Sequence, residues 1–192
     1  MMDQVFVDNE TFDKTDFKEN PLKKGEYESC TFKNCNLSDA DLSSIKFLEC
    51  DFINCNLSLA NLRDTSIQDI KFKDCKMLGL RFEQCNKFNL SFSFDNCQVN
   101  HSSFYQVKLK KVRFKNTQLQ ESDFTECDLT GAILDNCDFA RSTFENTTLE
   151  QADLRTSYNY TIDPEMNRIK KAKFSLHGLP GLLGKYDIEI DH

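Results

Sequence analysis

The stretch CTFKNCNLSDADLSSIKFLECDFINCNLSLANL, residues 30–62, places a large apolar residue at every fifth position. These large residues are Phe32, Leu37, Leu42, Phe47, Phe52, Leu57 and Leu62. An α-helix repeats about every 3.6 residues and a β-strand about every two, so neither element explains a period of five. A short period kept over many units is typical of a solenoid. Each five-residue unit is therefore expected to form one side of a coil.

The same spacing continues outward from this stretch in both directions. It runs from Val7 to Phe82 and, after a shift of two residues, from Phe94 to Leu154. A small residue, usually Cys, Ala or Ser, lies two positions before most of the large ones. Alternating large and small side chains fill a narrow tube, and the Asn, Asp, Ser and Thr residues between them suit tight turns. The sequence therefore predicts an all-β solenoid with a filled interior.

Residues spaced by 20 share a type, which predicts the length of one coil. The phenylalanine file consists of Phe12, Phe32, Phe52 and Phe72. A cysteine file with the same spacing consists of Cys35, Cys55 and Cys75. A step of 22 residues takes Phe72 to Phe94 and Cys75 to Cys97, so both files continue across the shift. Four units therefore make a four-sided coil, and about eight coils are expected in the column.

Two extra residues must leave the column near the shift. In the regular frame Lys87 would point inward, and burying an unpaired ammonium group is unfavourable. We expect residues 1–157 to form the β-helix, with a small bulge near 86–92. The candidate contact residues of this bulge are Asn86, Lys87, Phe88 and Asn89. The alternative is a bulge without a role.

Residues 158–192 are expected to form a last partial coil and a cap with a short helix. Asp163-Pro164-Glu165 predicts a helix start, with Asp163 as N-cap and Pro164 at the first helical position. An apolar tail follows, and its candidate dimer-interface residues are Leu179, Leu182, Leu183, Tyr186, Ile188 and Ile190. An apolar tail and an open strand edge both need cover. A monomeric cap and a contact with a second copy are the two interpretations.

The nine cysteines all lie in the small inward position, without a Cys-x-x-Cys motif or paired histidines. They are expected to be reduced core residues, with no metal and no cofactor. Stacked neighbours such as Cys35 and Cys55 would lie about 4.8 Å apart, within reach of a disulfide. A reducing, cytoplasmic location is therefore expected. The chain has no apolar run of 18 residues, so no membrane partner is predicted.

Motifs for catalysis are missing from the sequence. It contains no phosphate-binding loop, no Gly-x-Ser-x-Gly and no His-Glu-x-x-His, and its three histidines are scattered. The sequence therefore predicts a protein that is not an enzyme.

Negative charge is concentrated near the C-terminal end of the repeat. Residues 116–154 contain nine acidic residues and one arginine, a local charge of −8 in a chain of net charge −7. These two coils would span about 10 Å, over which duplex DNA carries about 6 phosphates. The candidate partner-binding residues are Glu121, Asp123, Glu126, Asp128, Asp135 and Asp138. A local imitation of DNA and an ordinary solvated surface are the two interpretations.

The preceding coil contains a basic stretch. Residues 108–115 include five cations, at Lys108, Lys110, Lys111, Arg113 and Lys115. They are expected to balance the neighbouring acids, and contact with an acidic partner surface is the alternative. Binding of nucleic acid is not expected, because the surrounding field is negative.

The units Ala40-Asp41-Leu42-Ser43 and Ala60-Asn61-Leu62-Arg63 follow the pattern A-[DN]-L-x-x. This pattern resembles the pentapeptide repeat family, over roughly residues 7–154, which implies a right-handed quadrilateral β-helix. The chain looks most like the topoisomerase-protecting branch, with Qnr quinolone-resistance proteins and, more closely, albicidin-resistance and microcin-immunity proteins. The segments that carry this likeness are Asp51–Ser58, Asp74–Gly79, Ser103–Tyr105, Ala172–Leu176 and Asp187–Ile190.

The resemblance implies a noncatalytic DNA mimic that binds DNA gyrase or topoisomerase IV and protects it from an inhibitor. It also implies a homodimer formed through the C-terminal tail. The chain departs from the Qnr pattern in its loops, since the insertion near Lys87 is minimal and none lies between Phe47 and Phe52. A pentapeptide-repeat scaffold or regulator with a different protein partner is the alternative.

Overall fold

The structure is a computed structural model that describes residues 4–189. The chain forms a parallel β-solenoid of about seven turns, with one short helix near its C-terminal end. This result confirms the all-β solenoid that the five-residue period predicts. The strands are β1 (Val5–Asp8), β2 (Thr11–Asp13), β3 (Gly25–Glu28), β4 (Thr31–Lys33), β5 (Lys46–Leu48), β6 (Asp51–Ile53), β7 (Ser66–Gln68), β8 (Ile70–Lys73), β9 (Phe92–Asp95), β10 (Arg113–Lys115) and β11 (Ile133–Asp135).

Each coil has four sides, which we number in chain order. The first side carries the four-stranded sheet β1-β3-β5-β7, and the second carries the seven-stranded sheet β2-β4-β6-β8-β9-β10-β11. In later coils the first side continues as single-residue bridges joining Lys108, Asp128, Thr148 and Arg168. Similar bridges hold the third side, as between Asn36 and Asn56, and the fourth side, as between Ser103 and Asp123. The second side therefore lies opposite the fourth.

The predicted phenylalanine file is stacked inside the second side. The ring centroids are 4.9 Å apart for Phe12 and Phe32, 4.6 Å for Phe32 and Phe52, and 5.1 Å for Phe52 and Phe72. Across the shift, Phe72 and Phe94 are 5.7 Å apart and tilted. Each stacked pair contributes about 0.5–1.5 kcal/mol beyond the burial of its area. The two extra residues thus disturb one step of the file without ending it.

The small inward position has a polar function as well as a steric one. The Cys55 thiol donates to the carbonyl oxygen of Phe32 at 3.3 Å, and the Thr65 hydroxyl donates to the carbonyl oxygen of Leu42 at 2.9 Å. Both acceptors belong to the coil below. Because a buried donor without a partner is costly, this bond explains how Cys, Ser and Thr occupy the interior beside Ala.

All nine cysteines are free and buried, as the sequence predicts. Burial raises the pKa of the Cys50, Cys85 and Cys137 thiols to about 12. Since the thiolate is the reactive form, these thiols are expected to be inert at neutral pH.

Left-handed residues form the corners of the coils. At the corner between the second and third sides, Asn34, Asn54 and Asn116 have φ of 55°, 52° and 49°, a region that Asn tolerates better than most residues. The side-chain amide of Asn54 donates to the Asn34 side-chain oxygen at 2.8 Å, and Asn136 donates to Asn116 at the same distance. These amide bonds link the coils along the outside of the corner.

The turn at Asp163 differs from the helix that the sequence predicts there. The Asp163 carboxylate accepts from the Glu165 backbone N–H at 2.9 Å, and the Asn167 N–H donates to the Asp163 carbonyl oxygen at 3.1 Å. Only one turn forms, so the predicted helix start is wrong. The buried Asn167 side chain is the cause, because its amide donates to the Phe144 carbonyl oxygen and its oxygen accepts from the Thr147 N–H, both at 2.9 Å. These bonds return the chain to the column.

The helix lies later, as α1 (Pro180–Leu183), between single 3₁₀ turns at Leu176–Gly178 and Gly184–Tyr186. The Ile162 N–H donates to the Gly181 carbonyl oxygen at 2.9 Å. A Cβ at Gly181 would collide with the Tyr160 carbonyl oxygen. The helix therefore packs directly over the last coil.

Candidate functional site on the charged sides of the column

The six acidic residues singled out in the sequence encircle one coil. Asp123 lies in a bridge row on the fourth side, Asp128 in a row on the first, and Asp138 in a row on the third. Asp135 belongs to strand β11 on the second side. Glu121 has φ of 55° at the corner before the fourth side. The structure therefore distributes these carboxylates around the column and does not bring them together on one surface.

Three of the six have partners that offset their charge or hold it inside the fold. Glu121 is paired with Arg141, and this hydrogen bond lowers the pKa of Glu121. Asp128 lies 3.4 Å from the Lys110 ammonium. Asp138 is buried and accepts from the Gln120 side-chain amide at 2.6 Å. These three are less available to a partner than their sequence suggests.

The fourth side keeps an acidic surface. Asp123 lies there, Glu126 lies at the corner that follows it, and Glu145 follows one coil later; we call these three residues the acidic side. Among the residues that the structure describes, no Lys or Arg nitrogen lies within 4.0 Å of their carboxylates. The outward residues of this side from Ser103 to Glu145 include no Lys or Arg, and Arg141, at the corner before the side, is paired with Glu121. The local field is therefore negative.

Polar contacts order part of the acidic side. The Glu126 carboxylate accepts from the Gln106 side-chain amide at 2.8 Å, and the same amide donates to the Tyr105 hydroxyl at 3.0 Å. The Asp123 carboxylate accepts from the Thr125 backbone N–H at 2.9 Å. These bonds hold carboxylates in place on a rigid support, which lowers the entropy lost on binding.

Further carboxylates on the fourth side are neutralised by the C-terminal tail. The Lys185 ammonium lies 2.8 Å from Asp163 and 2.7 Å from Glu165. Hydrogen bonds from Lys185 lower the pKa of both carboxyl groups. The tail thus sets how far the negative surface extends toward the end of the column.

The structure places the bulge residues on the surface. The Asn86 side-chain oxygen accepts from the Phe88 N–H at 2.9 Å, and 70% of Phe88 is exposed. Leu90 packs against the core, while Lys87 is exposed. The ladder resumes where the Ser91 N–H donates to the Ile67 carbonyl oxygen at 3.0 Å. Phe88 also lines a groove of about 340 Å³ on the first side.

The predicted dimer-interface residues differ in their exposure to solvent. Leu182 is buried and Leu183 half-buried, so both serve the cap. Leu179, Tyr186 and Ile188 are exposed, the last two by 52% and 54%. Ile190 lies outside the described residues. Leu176, which opens the apolar tail in the sequence, is 79% exposed, and sequence reasoning missed two other exposed apolar residues near this end, Tyr158 and Met166.

Leu59 is a second residue that sequence reasoning missed. It has φ of 60° and is 63% exposed. Among the described non-glycine residues with positive φ, it alone is apolar. Its side chain leans over Gly79 in the next coil. The signal in the sequence is a Leu where other coils have Asp, Gly, His, Glu or Arg at the same corner.

No cluster of His, Cys, Asp or Glu in residues 4–189 is arranged to hold a metal ion. Within the same residues, no helix is long and apolar enough to cross a membrane.

A family model described as the pentapeptide repeat region matches residues 25–93 and 79–154. Matched over most of its length, the chain belongs to the pentapeptide repeat family. Comparison with curated protein sequences finds no significant match.

Solved structures of the same fold are similar to this chain. A trypsin-treated variant of QnrB1, a plasmid-mediated fluoroquinolone resistance protein, matches with a TM-score of 0.61 at 20% identity, covering 98% of this chain and all of QnrB1. Full-length QnrB1 matches with a TM-score of 0.56 at 20% identity, covering 96% of this chain and 100% of that one. HetL, involved in heterocyst differentiation regulation in the cyanobacterium Nostoc, matches with a TM-score of 0.51 at 15% identity, covering 88% of this chain and 85% of that one.

Proposed function

We propose that this chain is a noncatalytic DNA-mimic protein that binds DNA gyrase or topoisomerase IV. It protects the enzyme from an inhibitor, such as a quinolone or an albicidin-like or microcin-like compound, and acts in the cytoplasm. The observation that carries the proposal is the acidic side, where Asp123, Glu126 and Glu145 have no cation within 4.0 Å among the described residues. An enzyme surface that binds duplex DNA is basic, and it offers the complementary charge.

The fold supports this function through shape and rigidity. Coils rise by about 4.8 Å each, so Asp123 and the Glu145 unit lie on successive steps of one side. The interior is filled with stacked rings, as for Phe104 and Phe124 at 4.8 Å, and the support does not have to reorganise on binding. Electrostatic complementarity of this kind raises the association rate and makes binding sensitive to salt.

A homodimer through the tail would lengthen the acidic side. Leu179, Tyr186 and Ile188 leave apolar surface exposed at this end, which is where a second copy would gain cover. The acidic coils lie next to this end, so two acidic sides would meet near the centre of a longer rod. This arrangement favours a partner with a long basic cleft.

The test is a charge reversal with a matched control. Asp123→Lys combined with Glu126→Lys should weaken binding to purified gyrase by about tenfold or more and remove protection in a supercoiling assay with each inhibitor. Glu19→Lys combined with Glu49→Lys reverses two exposed carboxylates near the other end and should change neither result. Equal protection by both variants would contradict the proposal.

The alternative is a scaffold or regulator with a different protein partner. Phe88 favours it, since an exposed aromatic residue beside a groove is suited to anchor a protein contact. A pull-down with gyrase and topoisomerase IV subunits separates the two functions. Absence of salt-sensitive capture would favour the alternative, and Phe88→Ala would then be the variant expected to lose the other partner.

A further inference from the structure

The second side carries positive charge where the opposite side is acidic. Lys71 and Arg113 lie in one register row of the sheet, separated by Ser93, and Lys73 and Lys115 lie in a parallel row. Lys108, Lys110 and Lys111 continue this charge around the edge shared with the first side; we call all seven residues the basic patch. Within a row the cations lie two coils apart, roughly 10 Å, and the rows are separated by roughly 7 Å.

Most of the basic patch is not neutralised within the chain. Lys110 lies 3.4 Å from Asp128, and Lys71 lies 3.8 Å from Asp51. The other five cations have no carboxylate oxygen within 4.0 Å in the part of the chain that the structure describes. Three acids are interspersed with the patch, Asp69, Asp74 and Asp95, and three more adjoin it one coil away, Asp51, Asp128 and Asp135. Within the patch, seven cations against three acids give a local charge of +4, and the three adjoining acids reduce it to +1.

The sequence alone predicts no binding of nucleic acid, because the field around residues 108–115 is expected to be negative. In the fold, Asp123 and Glu145 face away from Arg113 and Lys115 across the filled column. Asp128 and Asp135, which follow the basic stretch in sequence, lie one coil above it, and Asp128 is 3.4 Å from Lys110.

The chemistry of the patch fits a phosphate backbone better than a protein surface. Between Lys71 and Lys115, the outward residues of the second side are Lys, Arg, Ser and Asp, without an exposed large apolar residue. Protein interfaces depend on aromatic and apolar anchors, whereas phosphates are bound by Lys, Arg and Ser side chains. A pocket of about 270 Å³ lies at the shared edge, and its lining includes Lys71, Lys110, Lys111 and Arg113 together with Asp69 and several apolar side chains.

We infer that the basic patch binds the phosphate backbone of double-stranded DNA, namely the duplex that the topoisomerase holds. The inference rests on the proposed function for the identity of that complex. The rod then has two contacts of opposite sign: the acidic side faces the enzyme, and the basic patch faces its DNA. Where the duplex leaves part of the enzyme's basic surface free for the acidic side, the chain would therefore bind the enzyme–DNA complex more tightly than the enzyme alone.

The test compares two neutralised variants. Lys71→Gln with Arg113→Gln removes two cations from the patch, and Lys14→Gln with Lys23→Gln removes two exposed cations near the N-terminal end. Thermal unfolding checks that both variants fold as the wild-type chain does. Binding is measured over a range of salt to a labelled double-stranded DNA oligonucleotide, to DNA-free gyrase and to gyrase carrying the same oligonucleotide.

The patch variant should bind the free oligonucleotide and the gyrase–DNA complex about tenfold more weakly than the wild type, with unchanged affinity for DNA-free gyrase. The slope of log K against log salt for the oligonucleotide should fall by about 1.8, since each phosphate contact contributes about 0.9. The N-terminal variant should match the wild type in every measurement.

Two results would overturn the inference. Wild-type affinity of the patch variant for both DNA probes would mean that the cations only balance internal charge. An equal loss against DNA-free gyrase would assign them to an acidic protein surface. Failure of the proposed function would look different: the wild-type chain would bind the oligonucleotide through the patch and would not bind gyrase.

Discussion

The second and fourth sides of the column have the same kind of interior and expose opposite charges. Inside, each carries a file of stacked phenylalanine rings, with centroids 4.6 Å apart for Phe32 and Phe52 and 4.7 Å for Phe82 and Phe104. Outside, the second side exposes mainly Lys and Arg between Lys71 and Lys115, whereas the fourth exposes Asp and Glu but no Lys or Arg between Asp123 and Glu165. Only one residue in five must be large and apolar, so the outward residues are free to vary. In this fold the inward residues therefore provide stability, and the outward residues determine what the surface can bind.

The largest expected effect tests whether the two interiors are equivalent. Phe52→Ala on the second side and Phe104→Ala on the fourth should each lower the free energy of unfolding by about 3–5 kcal/mol, because each removes a buried ring stacked on two neighbours. Chemical denaturation measures both losses. Phe88→Ala, at an exposed position, should change it by less than about 0.5 kcal/mol. A loss confined to one side would show that the interiors differ.

An intermediate effect concerns the tail that neutralises the end of the fourth side. Lys185 lowers the pKa of Asp163 and Glu165, so it stabilises the docked tail at pH values above their ordinary range, about 4. This stabilisation is lost as the pH falls through the lowered folded values. Protection factors for hydrogen exchange of residues 176–189, which remove the intrinsic pH dependence of amide exchange, should therefore fall on acidification.

Lys185→Gln should give the same low protection factors already at neutral pH and should remove their pH dependence. Lys170→Gln, at an exposed position of the last coil, is the matched control and should exchange like the wild type. Tail exchange that does not differ between Lys185→Gln and the wild type at any pH would show that apolar packing alone holds the tail. The difference in exposed charge between the second and fourth sides would then not depend on Lys185.

The smallest effect lies at the corner between the third and fourth sides. Leu59→Asn should raise the free energy of unfolding by about 0.5–1 kcal/mol, because Asn adopts the left-handed region more easily than Leu. The reverse change, Asn54→Leu, puts Leu at another left-handed corner and removes the amide bond to Asn34. It should lower stability by a similar amount or more. Thermal unfolding of both variants is the measurement, and a loss for Leu59→Asn would mean that contact with Gly79 outweighs the strain.

Much of the fold could be predicted because its determinants are local and repeated. The five-residue period marks each inward residue, and the step of 22 residues from Phe72 to Phe94 is recovered as a pair in neighbouring strands. The helix start at Asp163 could not be predicted correctly. Its local signals are those of a helix, and they are overridden by bonds from Asn167 to Phe144 and Thr147, which lie about one coil away in the chain.

The candidate site was harder to predict than the fold. Residues five apart in sequence belong to successive sides, so the closely spaced acids from Glu121 to Asp138 spread around the coil. Residues 20 apart lie on one side, so Asp123 approaches the Glu145 unit instead. A count of charge along the chain therefore overstates the negative charge that any one side exposes, and it does not reveal the basic patch.

The sequence by itself determined the parallel solenoid, the four-sided coil and the files of stacked side chains, since each five-residue unit buries one large and one small residue. Only the tertiary structure decided which charges share a side, which carboxylates are neutralised and where the tail docks. These properties depend on contacts between coils. In this fold such contacts join residues about 20 positions apart, whose chemistry the repeat leaves free.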